Sequence, residues 1–228
     1  MKHSGQARKA AARLILASLG LLVLMLLSGV LALFVGSLIL TLAGALILFW
    51  GLFVAFTLYF FRDPNPRVPM GAGLIVSPAH GTVDVIDEPI EPQFIGGPCK
   101  RISIFLSVFN VHVQNIPLTG RVVFYEYREG KFLNAMSADC ALHNENALFG
   151  LEAQDPPGAR IGVRLLAGLI ARRIVPWTAL GDEVVRGERL SLIQFGSRVE
   201  LYLPLAAQIQ VKVGDKVKGG ETMVATLS

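Results

Sequence analysis

The sequence predicts a mainly β domain of the β-sandwich or barrel-sandwich type, preceded by an N-terminal transmembrane helical hairpin. Residues 14–61 carry no charged side chain. The chain after them alternates short apolar runs with Gly, Pro, Asn and Asp, which is typical of strands joined by turns. The 228 residues are 53% hydrophobic and 17% charged, with a mean hydropathy of +0.54. This composition excludes a disordered chain and an ordinary cytosolic enzyme.

The net charge of the chain comes from a basic arm at residues 1–13. The formal charge is +4, and the arm contains no acidic residue. Its basic side chains are Lys2, Arg8, Lys9 and Arg13. Because the rest of the chain is charge-balanced, the pI of 9.3 does not indicate a nucleic-acid-binding surface, and no nucleic-acid partner is expected. Basic residues beside a membrane span favour the cytoplasmic side.

The uncharged run at residues 14–61 is long enough for two membrane spans, since one helical span needs about 20 residues. A break near Gly36 would give spans at 14–35 and 38–61. Arg62 and Arg67 follow the second span, so both ends of the hairpin are expected on the cytoplasmic side of the cell inner membrane. The alternative is one span with a second helix lying in the membrane interface.

A β domain is expected over residues 62–228, because Pro64 and Pro66 cannot continue the second helix. The stretch 168–175 fits a helix or a buried strand equally well. The turn at 213–220 resembles the turns of lipoyl-type β-sandwiches. The predicted strands are 74–76, 82–86, 101–108, 121–127, 161–166, 190–195, 198–203, 208–213 and 222–227.

The two cysteines, Cys99 and Cys140, show neither a disulfide framework nor metal-ligand spacing. Few histidines are present to join them in a metal site, so no metal is expected. Both are interpreted as core thiols in a reducing compartment.

Three residues could carry chemistry. Ser197 follows Gly196 in a predicted strand and falls on its apolar face, where a hydroxyl must find a partner or cost free energy. His112 alternates with apolar residues over 109–114, which predicts a strand with a polar face and an imidazole oriented for proton transfer. His80 lies in a turn. Each has an ordinary structural explanation: a bulge with a small serine, a solvated strand face and a loop histidine.

Taken together, several segments resemble the phosphatidylserine decarboxylases of the short, membrane-anchored bacterial and archaeal type. The resemblance covers nearly the whole chain and rests on ordered motifs. They are the apolar run itself, Tyr-Phe-Phe-Arg-Asp-Pro at 59–64, Ser-Pro-Ala-x-Gly at 77–81, Val-Phe-Asn-Val-His-Val at 108–113 with Pro117, Gly-Lys-Phe-Leu-Asn-Ala at 130–135, the stretch 167–174, and Gly-Glu-Arg-Leu at 187–190 leading to Phe-Gly-Ser-Arg at 195–198.

The resemblance implies a pyruvoyl-dependent lyase of phospholipid biosynthesis that is made as a zymogen. Ser197 would attack the Gly196 carbonyl, and autocatalytic cleavage would give chains 1–196 and 197–228 with a covalent pyruvoyl group derived from Ser197. This group would form a Schiff base with phosphatidylserine and release CO2 and phosphatidylethanolamine. His112 matches the family's proton-handling histidine and is expected to act as the acid. The implied partners are the bilayer, the lipid substrate and the two cleaved chains. A homodimer is a further possibility that the resemblance does not decide.

The sequence departs from the family at the turn, which normally reads Ser-Pro-Ala-Asp-Gly and here has His80. The family's Asp is thought to help a histidine activate the serine. Residue 115, an Arg or a second His in relatives, is Asn115. Our hypothesis is that His80 accepts the Ser197 proton directly, since a neutral imidazole needs no carboxylate for this. Asp84 is the alternative base.

Two other functions compete with this interpretation. One is a non-catalytic membrane-anchored relative, and the other is a decarboxylase of another serine phospholipid such as archaetidylserine. Lys216 and Lys218 do not fit the exposed lysine of a lipoyl carrier. Arg172, Arg173 and Arg198 are the candidate ligands for a lipid phosphate.

Overall fold

The computed structural model describes residues 6–130, 144–168, 173–194 and 197–227, with side chains from residue 13 onward. The chain divides into two compact units at Thr57–Leu58. The first holds most of the apolar helix, and the second holds the last turn of that helix and all of the described strands.

The helix α1 is continuous from Gln6 to Phe60. Residues Arg13–Phe60 have the length and composition of a membrane span, with a mean hydropathy of 2.7 in the most apolar window. The expected break near Gly36 does not occur, and the hairpin is not confirmed. Glycine weakens a helix without ending it, and the Ser37 hydroxyl is satisfied within the helix by the Phe34 carbonyl at 2.8 Å. A helix of 55 residues measures about 80 Å, more than twice the thickness of a bilayer core.

The second unit is mainly β, as predicted. The described residues form an eight-stranded antiparallel sheet in the order β11-β7-β8-β9-β13-β5-β2-β15, two three-stranded sheets, β1-β16-β14 and β10-β12-β6, and the pair β3-β4. The strands are β1 (Leu74–Val76), β2 (Gly81–Asp87), β3 (Ile90–Glu91), β4 (Gly97–Pro98), β5 (Lys100–Leu106), β6 (Val113–Asn115), β7 (Gly120–Arg128), β8 (Asn146–Ala153), β9 (Arg160–Ala167), β10 (Ile174–Pro176), β11 (Glu183–Val184), β12 (Arg189–Ile193), β13 (Ser197–Leu203), β14 (Gln208–Ile209), β15 (Lys216–Val217) and β16 (Met223–Thr226).

One core joins the large sheet to both three-stranded sheets. Val199 and Leu201 of β13 share it with Ile193 of β12 and Val224 of β16. The opposite face of β13 carries charged and aromatic side chains, which a smaller cluster including Phe94 partly covers. The alternation predicted for this strand is therefore correct.

The main departures from the predicted elements have physical reasons. Strand β8 was not predicted, because nearly all its residues are buried and it lacks the alternation of a half-exposed strand. The predicted strand over 109–114 is wrong at its start. Residues 108–110 form a turn with Phe109 exposed, and the strand begins only at Val113. The side chains of His112 and Gln114 in this segment are buried rather than solvated, and Asn110 is half-buried.

Two further expectations fall partly outside the described residues. Of the ambiguous stretch 168–175, the end belongs to strand β10, and residues 169–172 lie outside the described part of the chain. Cys99 is a buried free thiol, and burial raises its pKa. Cys140 is not among the described residues.

The start of β2 requires a glycine at position 81. A Cβ on Gly81 would overlap the backbone carbonyl oxygen of Phe105 on the neighbouring strand. We expect Gly81→Ala to lower the free energy of unfolding by about 1–3 kcal/mol, because the added methyl group would push β2 away from β5 and weaken their pairing. Heat denaturation in detergent measures the change. Gly97→Ala is the matched control, since a Cβ there meets nothing within 4 Å. Equal losses in the two variants would contradict the prediction.

Candidate active site

Strands β5, β9 and β13 of the eight-stranded sheet are connected along the chain to β6, β10 and β12 of a three-stranded sheet. Ser197, the first residue of β13, pairs with the last residues of β5 and β9. Ile193, the last residue of β12, pairs with the first residue of β10 and donates its N–H to the His112 carbonyl oxygen at 3.1 Å. The described ends of these three connections are therefore adjacent within each sheet, and Ser197 and His112 each lie at one of these ends.

Ser197 is fully buried on the core face of β13. Among the described residues, its Oγ has no hydrogen-bond partner. An unsatisfied buried hydroxyl costs about 1–3 kcal/mol, so the Ser197 hydroxyl does not stabilise the core through a hydrogen bond to these residues. Gly196, the other half of the expected cleavage site, lies outside the described residues.

His112 is also fully buried, and two of the contacts that hold its ring can be described. Its Nδ1 lies 3.0 Å from the carbonyl oxygen of Asn110, and its ring stacks on Phe60 with 4.2 Å between centroids. A carbonyl can only accept a hydrogen bond, so the neutral ring carries its proton on Nδ1. Nε2 is then the nitrogen that can accept a proton.

The turn before His112 is fixed by the chain segment that follows the helix. The Arg62 guanidinium and the Tyr59 hydroxyl both donate to the Phe109 carbonyl oxygen, at 2.6 and 3.2 Å. Arg62 also lies over the Tyr59 ring, 3.9 Å from its centroid. Within the turn, the Asn110 side chain accepts the Ser107 N–H at 2.9 Å. The position of the imidazole thus depends on residues 59–62.

Burial lowers the pKa of His112 to about 4, and the positive charge of Arg62 acts in the same direction. The hydrogen bond to Asn110 opposes both effects. The ring is therefore neutral at pH 7. A neutral imidazole can act as an acid from Nε2 only after it has taken up a proton there.

His80 lies in the turn between β1 and β2, half-buried beside Gly219. Burial lowers its pKa, and Arg62 and Lys218 act in the same direction against the negative charge of Glu221. It is at the same end of the large sheet as Ser197, but β5 lies between their strands. Two strand spacings separate the two backbones by about 10 Å.

The alternative base, Asp84, faces away from Ser197. Its Oδ2 accepts a hydrogen bond at 2.6 Å from Arg198, which occupies the opposite face of β13. This ion pair also removes Arg198 from the candidate phosphate ligands. Arg173 is exposed, and its carbonyl oxygen accepts the Gln194 N–H at 3.1 Å, close to the β12–β13 connection. Arg172 lies outside the described residues.

Buried polar residues that the sequence analysis did not single out support the connections between the two sheets. Gln114 donates to the His112 carbonyl oxygen and accepts from Ser191, both at 2.8 Å. Asn144 donates to the Ala167 carbonyl oxygen at 2.7 Å. No local pattern marks these two amides, because Gln114 is followed by Asn115 and Asn144 lies between His143 and Glu145. Their partners Ser191 and Ala167 are distant in sequence. Within the described ranges, no group of three or more His, Cys, Asp or Glu side chains is arranged to hold a metal ion.

Comparison with known proteins agrees with the motifs at this site. The sequence profile described as phosphatidylserine decarboxylase matches residues 53–225. The chain belongs to this family. The resemblance seen in the sequence is thereby confirmed, and the chain is a decarboxylase of the phosphatidylserine decarboxylase family.

Relatives match over most of their length. The chain is 42% identical over 200 residues to the phosphatidylserine decarboxylase proenzyme of Symbiobacterium thermophilum, covering 85% of this chain and 92% of the relative. It is 46% identical over 173 residues to the proenzyme of the same name from Desulfotalea psychrophila, covering 76% and 80%. The word proenzyme states that those proteins are made as precursors.

The electrostatics of this family member predict an unusual titration. We expect the His112 ring to remain neutral from pH 8 to about pH 5, because its pKa is lowered from 6.5 to about 4. It gains a proton only as the pH falls through that value. Nitrogen-15 NMR of the histidine rings in detergent measures this, with His112→Gln to assign the signal. A midpoint near 6.5 would contradict the buried, Asn110-bonded arrangement.

Proposed function

We propose that this chain converts phosphatidylserine to phosphatidylethanolamine and CO2, through a pyruvoyl group made from Ser197 when the Gly196–Ser197 bond is cleaved. The observation that carries the proposal is the fully buried Ser197 hydroxyl, which has no partner among the described residues, in a chain of this family. The expected products are chains 1–196 and 197–228.

The surroundings of residue 197 fit a pyruvoyl group. The residue is enclosed by core side chains such as Val199 and Leu106, so bulk water is kept from a reactive ketone. Replacing the hydroxyl by carbonyl oxygens also leaves no buried donor to satisfy. There the group would supply an electrophilic ketone for the substrate amine and an electron sink for the loss of CO2.

His112 supplies the proton chemistry in this proposal. The substrate amine arrives protonated and must lose a proton before it can react. The Nε2 atom of neutral His112 can accept that proton and return it to the substrate carbon after CO2 has left. His112 would therefore act first as a base and then as the acid expected from the sequence. This order follows from the lowered pKa of the ring, which keeps it neutral at the start.

Cleavage needs a group that takes the Ser197 proton, and His80 is proposed for it. Its lowered pKa keeps the ring neutral and able to accept. Because β5 lies between the two residues, the proton would reach His80 from Ser197 through a bridging water, or directly after a small movement of the turn that carries His80.

The fold supports a cleaved enzyme at a membrane. Residues 197–227 contribute β13 between β9 and β5, β15 beside β2, and β16 between β1 and β14. Both chains therefore stay together without the Gly196–Ser197 bond. The apolar helix indicates membrane association, and the basic arm favours the cytoplasmic side of the inner membrane. Attachment to the leaflet that holds the substrate raises its effective concentration.

The decisive experiment is denaturing mass spectrometry of the purified protein, combined with turnover of phosphatidylserine in detergent micelles. We expect a C-terminal chain that begins at residue 197 with pyruvoyl in place of serine, and phosphatidylethanolamine as product. Ser197→Ala is expected to stay intact and inactive.

Ser103→Ala is the matched control, because Ser103 is also fully buried with a hydroxyl that lacks a partner among the described residues. It should cleave like the wild type. An intact wild-type chain would favour a non-catalytic relative. A cleaved protein that turns over only archaetidylserine would favour the other lipid.

The role of His80 is tested by the rate of maturation. We expect His80→Ala to slow the appearance of the C-terminal chain by about 100-fold, the usual range for loss of a general base. His80→Asp, which restores the family's residue, should mature faster than His80→Ala. Pulse labelling followed by gel analysis gives both rates. Maturation of His80→Ala at the wild-type rate would show that another group takes the proton.

A further inference from the structure

The residue that follows the cleavage site is held by an ion pair with no assigned role. We propose that the pair between Arg198 and Asp84 positions the new N-terminus at residue 197 after the chain is cut. The inference rests on the proposed cleavage. It makes both side chains positioning residues, since they lie on the opposite face of the sheet from Ser197.

The pair is short and sheltered. Arg198 Nη2 lies 2.6 Å from Asp84 Oδ2, and the Arg198 side chain is only 9% exposed while that of Asp84 is 27% exposed. Low solvent access reduces the screening that makes most surface ion pairs weak. Arg198 Nε and Asp84 Oδ1 are buried without a partner among the described residues, so breaking the contact would leave a buried guanidinium and a partly exposed carboxylate uncompensated.

The position of Asp84 depends on a bulge in β2. The register between β2 and β5 shifts between Val83 and Val85, which makes Asp84 the extra residue. The backbone beside it is fixed by two hydrogen bonds, from Val83 N–H to the Asp215 carbonyl oxygen at 2.9 Å and from Gly214 N–H to the Val83 carbonyl oxygen at 2.8 Å. The Asp84 carboxylate thus reaches Arg198 from a backbone position that is fixed by hydrogen bonds.

The pair joins two strands that are not neighbours. Strand β5 separates β2 from β13, so the contact spans the width of one intervening strand. It adds a link to β13 that is independent of the backbone pairing with β5 and β9.

Cleavage gives this link its importance. In the uncut chain, the peptide bond to Gly196 restrains Ser197. After the cut, residue 197 is a chain end, and chain ends fray unless they are tied down. The Ser197 side chain has no hydrogen bond among the described residues, so Arg198 is the first side chain along the new terminus that can fix its position.

The same strands provide a matched control. Asp87, three residues after Asp84, pairs with Arg101 of β5 at 2.6 Å, and Arg101 pairs with buried Glu200 of β13 at 2.9 Å. Asp87→Asn therefore weakens an ion-pair network on the same strand and face, but farther from residue 197.

The test uses the cleaved, full-length protein in detergent. Asp84→Asn removes one charge of the pair, and Asp84→Asn combined with Arg198→Gln removes both, so that neither is left buried alone. We expect both variants to be cleaved. Hydrogen exchange of the backbone amides at 198–200 should become about tenfold faster, and kcat should fall about tenfold with KM within about twofold, because small displacements of reacting groups are costly.

The control and the contrary outcomes separate the two proposals. Asp87→Asn should keep exchange at 198–200 and kcat within about twofold of the wild type. Cleaved pair variants that match Asp87→Asn in both measurements would overturn the positioning role. So would a double variant that stays uncut while Asp87→Asn is cut, since the pair would then act before cleavage. An intact wild-type chain would overturn the proposed function as well.

Discussion

The pairing of β13 on both sides is the constraint on which the rest of the site depends. Ser197 begins this strand, and its partners are the residues at which β5 and β9 leave the large sheet. Strands β5 and β9 both end where β13 begins, and the chain continues from them to β6 and β10 of the smaller sheet. The β5–β6 connection carries His112. Strand register thus places Ser197 beside the start of the connection that carries His112, and residues 59–62 fix the turn within it.

Exclusion of water is the second property of the site, and it acts on both groups. Burial keeps the His112 imidazole neutral and leaves the Ser197 hydroxyl without a partner among the described residues. Burying the imidazole and burying an unpartnered hydroxyl both lower the stability of the fold. The large apolar core of the sheets offsets this loss. The segment from Tyr59 to Arg62 contributes to this enclosure, since Phe60 covers the imidazole and Arg62 fixes the turn before it. The end of the apolar helix is thus part of the site's wall.

Sequence patterns predicted the parts of the structure that obey a local rule. The alternation at 197–203 correctly assigned Ser197 to the core face, and the uncharged run predicted an apolar helix. Strand β8 was not predicted because both its faces are buried. The alternation around Phe109 predicted a strand at a place where the chain turns. For a different reason, the expected break near Gly36 does not occur and the ion pair between Arg198 and Asp84 was not predicted. Helix continuity and the Arg198 contact depend on neighbours that one sequence does not reveal.

The interleaving of residues 197–227 with the rest of the domain has a consequence for the lifetime of the protein. This segment supplies strands to two sheets, and its first strand, β13, lies between the earlier strands β9 and β5. A chain cut before residue 197 would have to refold as two molecules that find one another, with β13 inserted between partners already in place. Its persistence would then be governed by the rate of unfolding and not by a reversible equilibrium. For such an enzyme, durability is a kinetic property acquired at the moment of maturation.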